Sequence, residues 1–233
     1  MSDDFIFHGS LSELDPDLSQ LLQREDDRQD STIILIASES ASPEAVREAM
    51  SSNFANIYAE GYPREESRRQ TEAEIFDMDF ELAHYRRYSD PRYYKGVEYA
   101  DMLEALTRRR AAELFAANGI TADQLYVNVQ PLSGAPANSA VYTALLNPGD
   151  TILGLNLNDG GHLSHGTRIN RSGKHYHGET YFVDEKTELL DYDDIEKRAV
   201  ATQPNIIVAG FSAYPRIIDW QRFRAIADKV GAT

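Results

Sequence analysis

Two imidazoles three residues apart, in Gly160-Gly161-His162-Leu163-Ser164-His165, stand on a loop whose glycines let a flat ligand approach the backbone closely. The pair could bind a metal, stack on an aromatic ring or simply be hydrogen-bonded in place. Asp159 alone beside them falls short of a metal-ligating signature, so no metal site is expected. A second candidate is the run Pro131-Leu132-Ser133-Gly134-Ala135, which falls between an expected strand and an expected helix. Free N–H groups and the helix dipole suit an anion such as phosphate there, and the same residues also read as an ordinary serine-capped helix. The third candidate is polar and aromatic: Tyr58-Ala59-Glu60-Gly61-Tyr62-Pro63 and Arg92-Tyr93-Tyr94. A glutamate among tyrosine hydroxyls can move protons, and such segments can equally pack as aromatic rim.

Positioning these groups requires a scaffold, and its pattern changes along the chain. From Ser12 to Asp30, leucines at 14, 18, 21 and 22 recur at helical spacing among polar residues, which predicts an amphipathic arm. The short run Ile33 to Ile36 leads to Ser42-Pro43-Glu44, which supplies an N-cap, a first-turn proline and an acid for a helix beginning near Pro43. Arg64 to Pro91 carries charges of both signs with Ile75, Met78, Leu82 and Tyr85 at helical spacing, and a further helix fits Tyr99 to Ala117, with Met102, Leu103, Leu106, Leu114 and Phe115 as its apolar face and Asn118-Gly119 as its stop. Beyond it strands and helices alternate: a strand at Leu125 to Val129, a helix at Ala135 to Leu146, a turn at 147–150, and a strand at Thr151 to Leu155. After the glycine-histidine loop come a strand at Tyr181 to Val183, a helix from Tyr192 to about Ala201, a buried strand at Ile206 to Phe211 and a helix from Trp220 to Val230. This order predicts an open α/β sheet with parallel members.

Composition narrows the function classes. The 233 residues are 42% apolar, enough for one domain with a core and an N-terminal arm. A net charge of −15 argues against nucleic acid, whose binding needs clustered Lys and Arg. Without cysteine there is no disulfide, zinc-thiolate site or thiol nucleophile. No apolar run approaches the length of a membrane span, and Asp3-Asp4 ahead of Phe5-Ile6-Phe7 is unlike a secretory signal. A soluble, cytoplasmic protein is expected.

Taken in order, Leu35-Ile36-Ala37-Ser38-Glu39, Tyr58 to Pro63, Arg92-Tyr93-Tyr94, Asn128-Val129-Gln130-Pro131-Leu132-Ser133-Gly134, Ala137-Asn138, Gly160 to Gly166, Ser172-Gly173-Lys174 and Gly210-Phe211-Ser212-Ala213-Tyr214 resemble serine hydroxymethyltransferases from about residue 12 onward. The resemblance implies the N-terminal part of a fold-type I, aspartate-aminotransferase-like, pyridoxal-phosphate enzyme. Residues 1–40 would form a helical arm, and 41–233 an incomplete cofactor-binding large domain with an insertion at 64–91. The implied activity is serine–glycine interconversion with tetrahydrofolate as one-carbon carrier, in an oligomer built on a dimer. By that resemblance Ser133, Gly134 and Ala135 cradle the cofactor phosphate, His162 stacks on its ring, Ser212 touches the ring-hydroxyl region, and Tyr58 reaches the neighbouring subunit's phosphate. Ser38 and Tyr94 would meet the amino acid, Glu60 would act as acid and base, and Leu157, Gly161, Leu163 and Tyr93 would form the folate wall; Glu60, His162 and Tyr94 are the catalytic candidates.

Three departures stand out. Alanine occupies 135 where the family usually has serine, a loss of about 1 kcal/mol toward the phosphate. The 28 residues from Arg64 to Pro91 replace a connection of a couple of residues, and could reshape acceptor binding, dock a partner or be a tolerated excursion. The Schiff-base lysine, the aspartate for the pyridine nitrogen and the carboxylate-binding arginine have no counterpart, and the five lysines, at 95, 174, 186, 197 and 229, lie in other contexts. The expectation is therefore a split enzyme, a hetero-oligomer in which a second polypeptide carries that lysine and the C-terminal domain. The competing readings are a non-catalytic regulatory or scaffolding subunit and a truncated form of a longer enzyme.

Overall fold

The computed structural model describes residues 8–89 and 91–233. The first seven residues of the expected arm, with the Asp3-Asp4 and Phe5-Ile6-Phe7 clusters, and Asp90 of the 64–91 segment lie outside the described residues.

The arm is two helices, α1 (Leu11–Leu14) and α2 (Pro16–Ser31). Asp15 accepts from the Leu18 amide at 2.9 Å and Pro16 occupies the first turn, a start that needs no tertiary contact. Neither helix buries a residue, so the predicted leucine stripe is present and faces outward. Helix α3 (Glu44–Met50) starts one residue later than the sequence suggests: Pro43 is its N-cap, and Ser42 caps nothing but accepts from Arg47 through its carbonyl.

The 64–91 segment folds as a 3₁₀ turn (Glu65–Arg69), α4 (Glu72–Ile75) and α5 (Met78–Tyr88). Thr71 and Asp77 cap the two helices and divide what reads as one periodic stretch. The predicted apolar face is real. Ile75, Met78, Leu82 and Tyr85 pack with Met102, Ala105 and Leu106 of α6 (Glu98–Phe115). On α6 itself the buried set is Asp101, Met102, Ala105, Arg108 and Ala112; Leu103, Leu114 and Phe115, expected inside, are exposed. That helix ends before Asn118-Gly119, with Ala116 as its cap.

Helix α7 (Gly134–Leu145) leads to strand β1 (Thr151–Leu155), followed by α8 (Arg171–His175), β2 (His177–Tyr181), α9 (Tyr192–Thr202), β3 (Ile206–Ile207) and α10 (Trp220–Val230). The sheet is parallel, in the order β2-β1-β3. Strand alternation sends Leu153 and Leu155 toward Ile195 and Ala199 of α9 and Phe223 and Ile226 of α10. Ile152 points the other way, toward Tyr142 of α7. Helices thus cover both faces of β1, as parallel strands require.

Three strand expectations change. Leu125 to Val129 forms no ladder among the described residues; Asn128 within it and Gln130 just after it bond instead to Tyr62 and Gly61. β2 begins four residues before the predicted Tyr181, and Val183 retains only a bridge to Leu190. β3 is two residues rather than six, because after Val208 donates to Leu153 the chain turns and the Ser212 and Ala213 amides serve Gly160. The short helix α8 has no counterpart in the sequence reading.

Candidate functional site

The carboxyl end of β1, the middle strand, runs directly into the histidine loop. Asn156 accepts from Asn158 at 3.0 Å and starts a 3₁₀ turn, Leu157–Asp159, that ends at Gly160 in the left-handed region with φ 106°. Gly161 then passes so close to the end of β1 that a Cβ would lie 2.0 Å from the Leu155 carbonyl oxygen, so no other residue fits that path. The Ser212 and Ala213 amides donate to the Gly160 carbonyl at 3.0 and 3.1 Å, which places Ser212, half-buried, against the loop.

The His162 ring is held in one orientation. The Ser164 amide donates to its Nδ1 at 3.1 Å, and the Ser164 hydroxyl lies 2.7 Å from the same nitrogen. Asn138 of α7 donates to that hydroxyl oxygen at 2.7 Å, leaving the hydroxyl hydrogen for Nδ1. An Nδ1 that accepts carries its proton on Nε2, so the ring is the Nε2–H tautomer. His165 sits 5.6 Å away, ring centre to ring centre, packed over Gly154 of β1. Burial, with His162 adding to it, pushes the His165 pKa down to about 4. It is a neutral acceptor for the His162 amide at 3.3 Å.

Ser133 is the N-cap of α7, with Gly134 and Ala135 as the first helical residues. Ser133 and Gly134 are exposed and the Ser133 side chain caps no amide of the helix, so the first N–H groups, which have no intrahelical partner, face outward. One turn later the same helix presents Asn138 to Ser164.

A second group of candidates assembles around Arg92, which is 3% exposed. Its Nη1 donates to the Ala59 and Gly61 carbonyls at 2.5 and 2.9 Å, its Nε to Asp101, and its Nη2 to Glu104 at 2.6 Å. Burial works against this charge, but the bonds to Asp101 and Glu104 outweigh it and hold the pKa above the usual arginine value. The Tyr93 amide donates to the Glu60 carbonyl at 3.1 Å, and the Tyr58 and Tyr94 rings lie 5.3 Å apart. Gly61, at φ 106°, lets the loop turn against the Arg92 backbone. Gln130 donates to the Gly61 carbonyl at 2.8 Å, tying this loop to the segment that enters α7.

The structure therefore makes two clusters: His162, Gly161 and Ser212 in one, Tyr58, Glu60, Tyr93 and Tyr94 in the other. Among the described residues no hydrogen bond or ring contact joins Glu60 or Tyr58 to His162. Leu157 and Leu163 lie exposed in the loop of the first cluster, and Tyr93 lies exposed in the second. Ser38 lies in an exposed turn in the segment between α2 and α3, with no hydrogen bond to either cluster among the described residues. Ser164, Asn138 and Arg92 position these residues, a role the sequence did not assign them although all three stand in the motifs it singled out. A Ser two residues after His162 and an Asn one turn into a glycine-led helix were the available signals. Asp101 and Glu104, one turn apart on α6, were the signal for Arg92.

This is an α/β domain with a small parallel sheet, bearing a helix N-terminus and a glycine-histidine loop at the carboxyl end of its middle strand. The family model for serine hydroxymethyltransferase matches residues 11–88 and 83–233. Proteins of that name from Acinetobacter baumannii (strain AYE) and Acinetobacter baylyi are 47% and 48% identical, each over 223 residues, 96% of this chain and 46% of the relative. One from a Psychrobacter species is 46% identical over the same spans. The chain belongs to the serine hydroxymethyltransferase family, and it spans about half the length of the curated relatives it matches.

Proposed function

We propose that this chain forms the N-terminal half of the cofactor site of a fold-type I, pyridoxal-phosphate-dependent serine hydroxymethyltransferase. The observation that carries the reading is the double use of α7. Its first N–H groups, at Ser133, Gly134 and Ala135, are free to bind a phosphate, and Asn138 one turn later fixes His162 through Ser164. An anion site and a flat, oriented imidazole on one rigid element suit a phosphorylated planar cofactor. Bound pyridoxal phosphate supplies the electron sink for breaking the Cα–Cβ bond of serine.

In this reading His162 stacks on the ring, Ser212 lies by its hydroxyl, and Tyr58 serves the phosphate of a neighbouring copy. Ser38 and Tyr94 bind the amino acid. Glu60 moves a proton at the hydroxymethyl oxygen. Leu157, Gly161, Leu163 and Tyr93 form the surface for tetrahydrofolate. The chain's lysines do not complete the site: Lys229 pairs with Glu196 and Lys95 donates to the Arg92 carbonyl, and no lysine bonds to the His162 loop among the described residues. By the family resemblance the anchoring lysine and the carboxylate-binding arginine have no counterpart here, and in this reading they come from further polypeptide, separate from this chain or continuous with it.

The test is purification through a tag on this chain together with that further polypeptide, recording mass and visible absorbance. A yellow species that interconverts serine and glycine with tetrahydrofolate, and loses turnover in Glu60→Gln, supports the proposal. A colourless, inactive species of full composition refutes it and favours the non-catalytic subunit that Ala135 suggests. Mass also shows whether the lysine arrives on a second chain.

A further inference from the structure

The 64–91 segment is closed on itself near its start and meets, at its finish, the arginine that holds the Tyr58–Gly61 loop. At its start Arg64, immediately after Tyr62-Pro63, pairs with Glu81 on α5, a carboxylate only 3% exposed that also accepts from Gln70 at 2.6 Å. At its finish Arg92 holds the Ala59 and Gly61 carbonyls. Between them, the Tyr85 hydroxyl of α5 donates to Asp101 Oδ2 at 2.5 Å, while Asp101 Oδ1 accepts from Arg92. One buried carboxylate thus joins the segment's main helix to the guanidinium that shapes the loop.

We propose that the 64–91 segment is a brace for the Tyr58–Gly61 loop, and that Tyr85 is its positioning residue, orienting Asp101 so that Arg92 holds Glu60 and Tyr58 in their working geometry. This rests on the functional reading above for the roles of Glu60 and Tyr58, but the mechanical link stands on the bonds alone. Asp101 is 2% exposed, so water does not compete freely for Oδ2, and the bond from Tyr85 helps hold the carboxylate in the orientation that meets Arg92. Burial, reinforced by the bond to Asp101, pushes the Tyr85 phenol pKa up, so it remains the donor throughout the neutral range. Packing alone does not account for the hydroxyl. Ile75, Met78 and Leu82 already seat the segment on α6, and a phenylalanine at 85 would fill the same space.

The experiment compares Tyr85→Phe with Leu82→Val in the assembled protein. Leu82→Val loosens the same helix without touching Asp101. The first readout is hydrogen exchange at the Tyr93 amide, which is bonded to the Glu60 carbonyl and needs no activity. The second is the division of any loss between kcat and KM. Tyr85→Phe should speed Tyr93 exchange and lower kcat/KM about tenfold, mostly in kcat, while Leu82→Val at equal or greater loss of Tm leaves both near wild type. Exchange in Tyr85→Phe no faster than in Leu82→Val overturns the brace. If the wild-type assembly proves inactive, the functional reading falls and the exchange comparison still decides the mechanical link.

Discussion

Single residues carry most of the chemistry here, and their states are set by neighbours. His162 is orientated by a hydroxyl and an amide of Ser164, and His165 is kept neutral by burial beside it. The second effect has a pH consequence with a definite sign. With a pKa near 4 in the fold against 6.5 when exposed, His165 takes up a proton on unfolding between those values. Its contribution to stability is complete above 6.5 and is lost as the pH falls toward 4. The drop in Tm between about pH 7 and about pH 5 should therefore be smaller in His165→Gln than in wild type, measured by thermal unfolding across that range.

At the scale of elements, the site depends on close approaches that leave no room for side chains. Gly161→Ala places a methyl group 2.0 Å from the Leu155 carbonyl, so the loop must leave the end of β1. A loss at the upper end of about 1–3 kcal/mol is expected in denaturant unfolding, together with weaker binding of the cofactor that the proposed function assigns to this loop. The opposite sign is expected on α7. Tyr142 is 3% exposed, its hydroxyl has no hydrogen-bond partner among the described residues, and burial pushes its pKa up to about 12. Tyr142→Phe removes an unsatisfied group while keeping the ring that packs against Tyr176, and should raise stability by about 1 kcal/mol in the same assay.

Over the whole molecule, the apolar surface is unevenly distributed. Ile33, Leu35, Leu132 and Ile217 are each more than 80% exposed, and the leucines of α1 and α2 bury nothing. Exposed apolar surface of this extent drives association. The 233-residue chain by itself should self-associate with concentration in sedimentation velocity, despite its charge of −15, and on the proposed function further polypeptide that completes the site should suppress this. No helix among the described residues is long and apolar enough to cross a membrane.

What the sequence determined alone is whatever rests on local chemistry. Trp220–Val230 was readable because Asp219 caps it and Gly231 ends it in the left-handed region, and β1 because Asn147 to Asp150 makes a turn just before it. The family motifs, Gly160 to His165 above all, were equally readable, since their residue types and order need no partner. Tertiary structure decided what depends on pairing. Leu125 to Val129 has strand-like residues but no neighbouring strand among the described residues, and β3 stops at two residues because its continuation is drawn to Gly160. Arg92 reads as one member of an Arg-Tyr-Tyr motif until the fold brings Asp101, Ala59 and Gly61 around it. A buried guanidinium takes its role from groups distant in sequence, and no local pattern encodes which carbonyls it will hold.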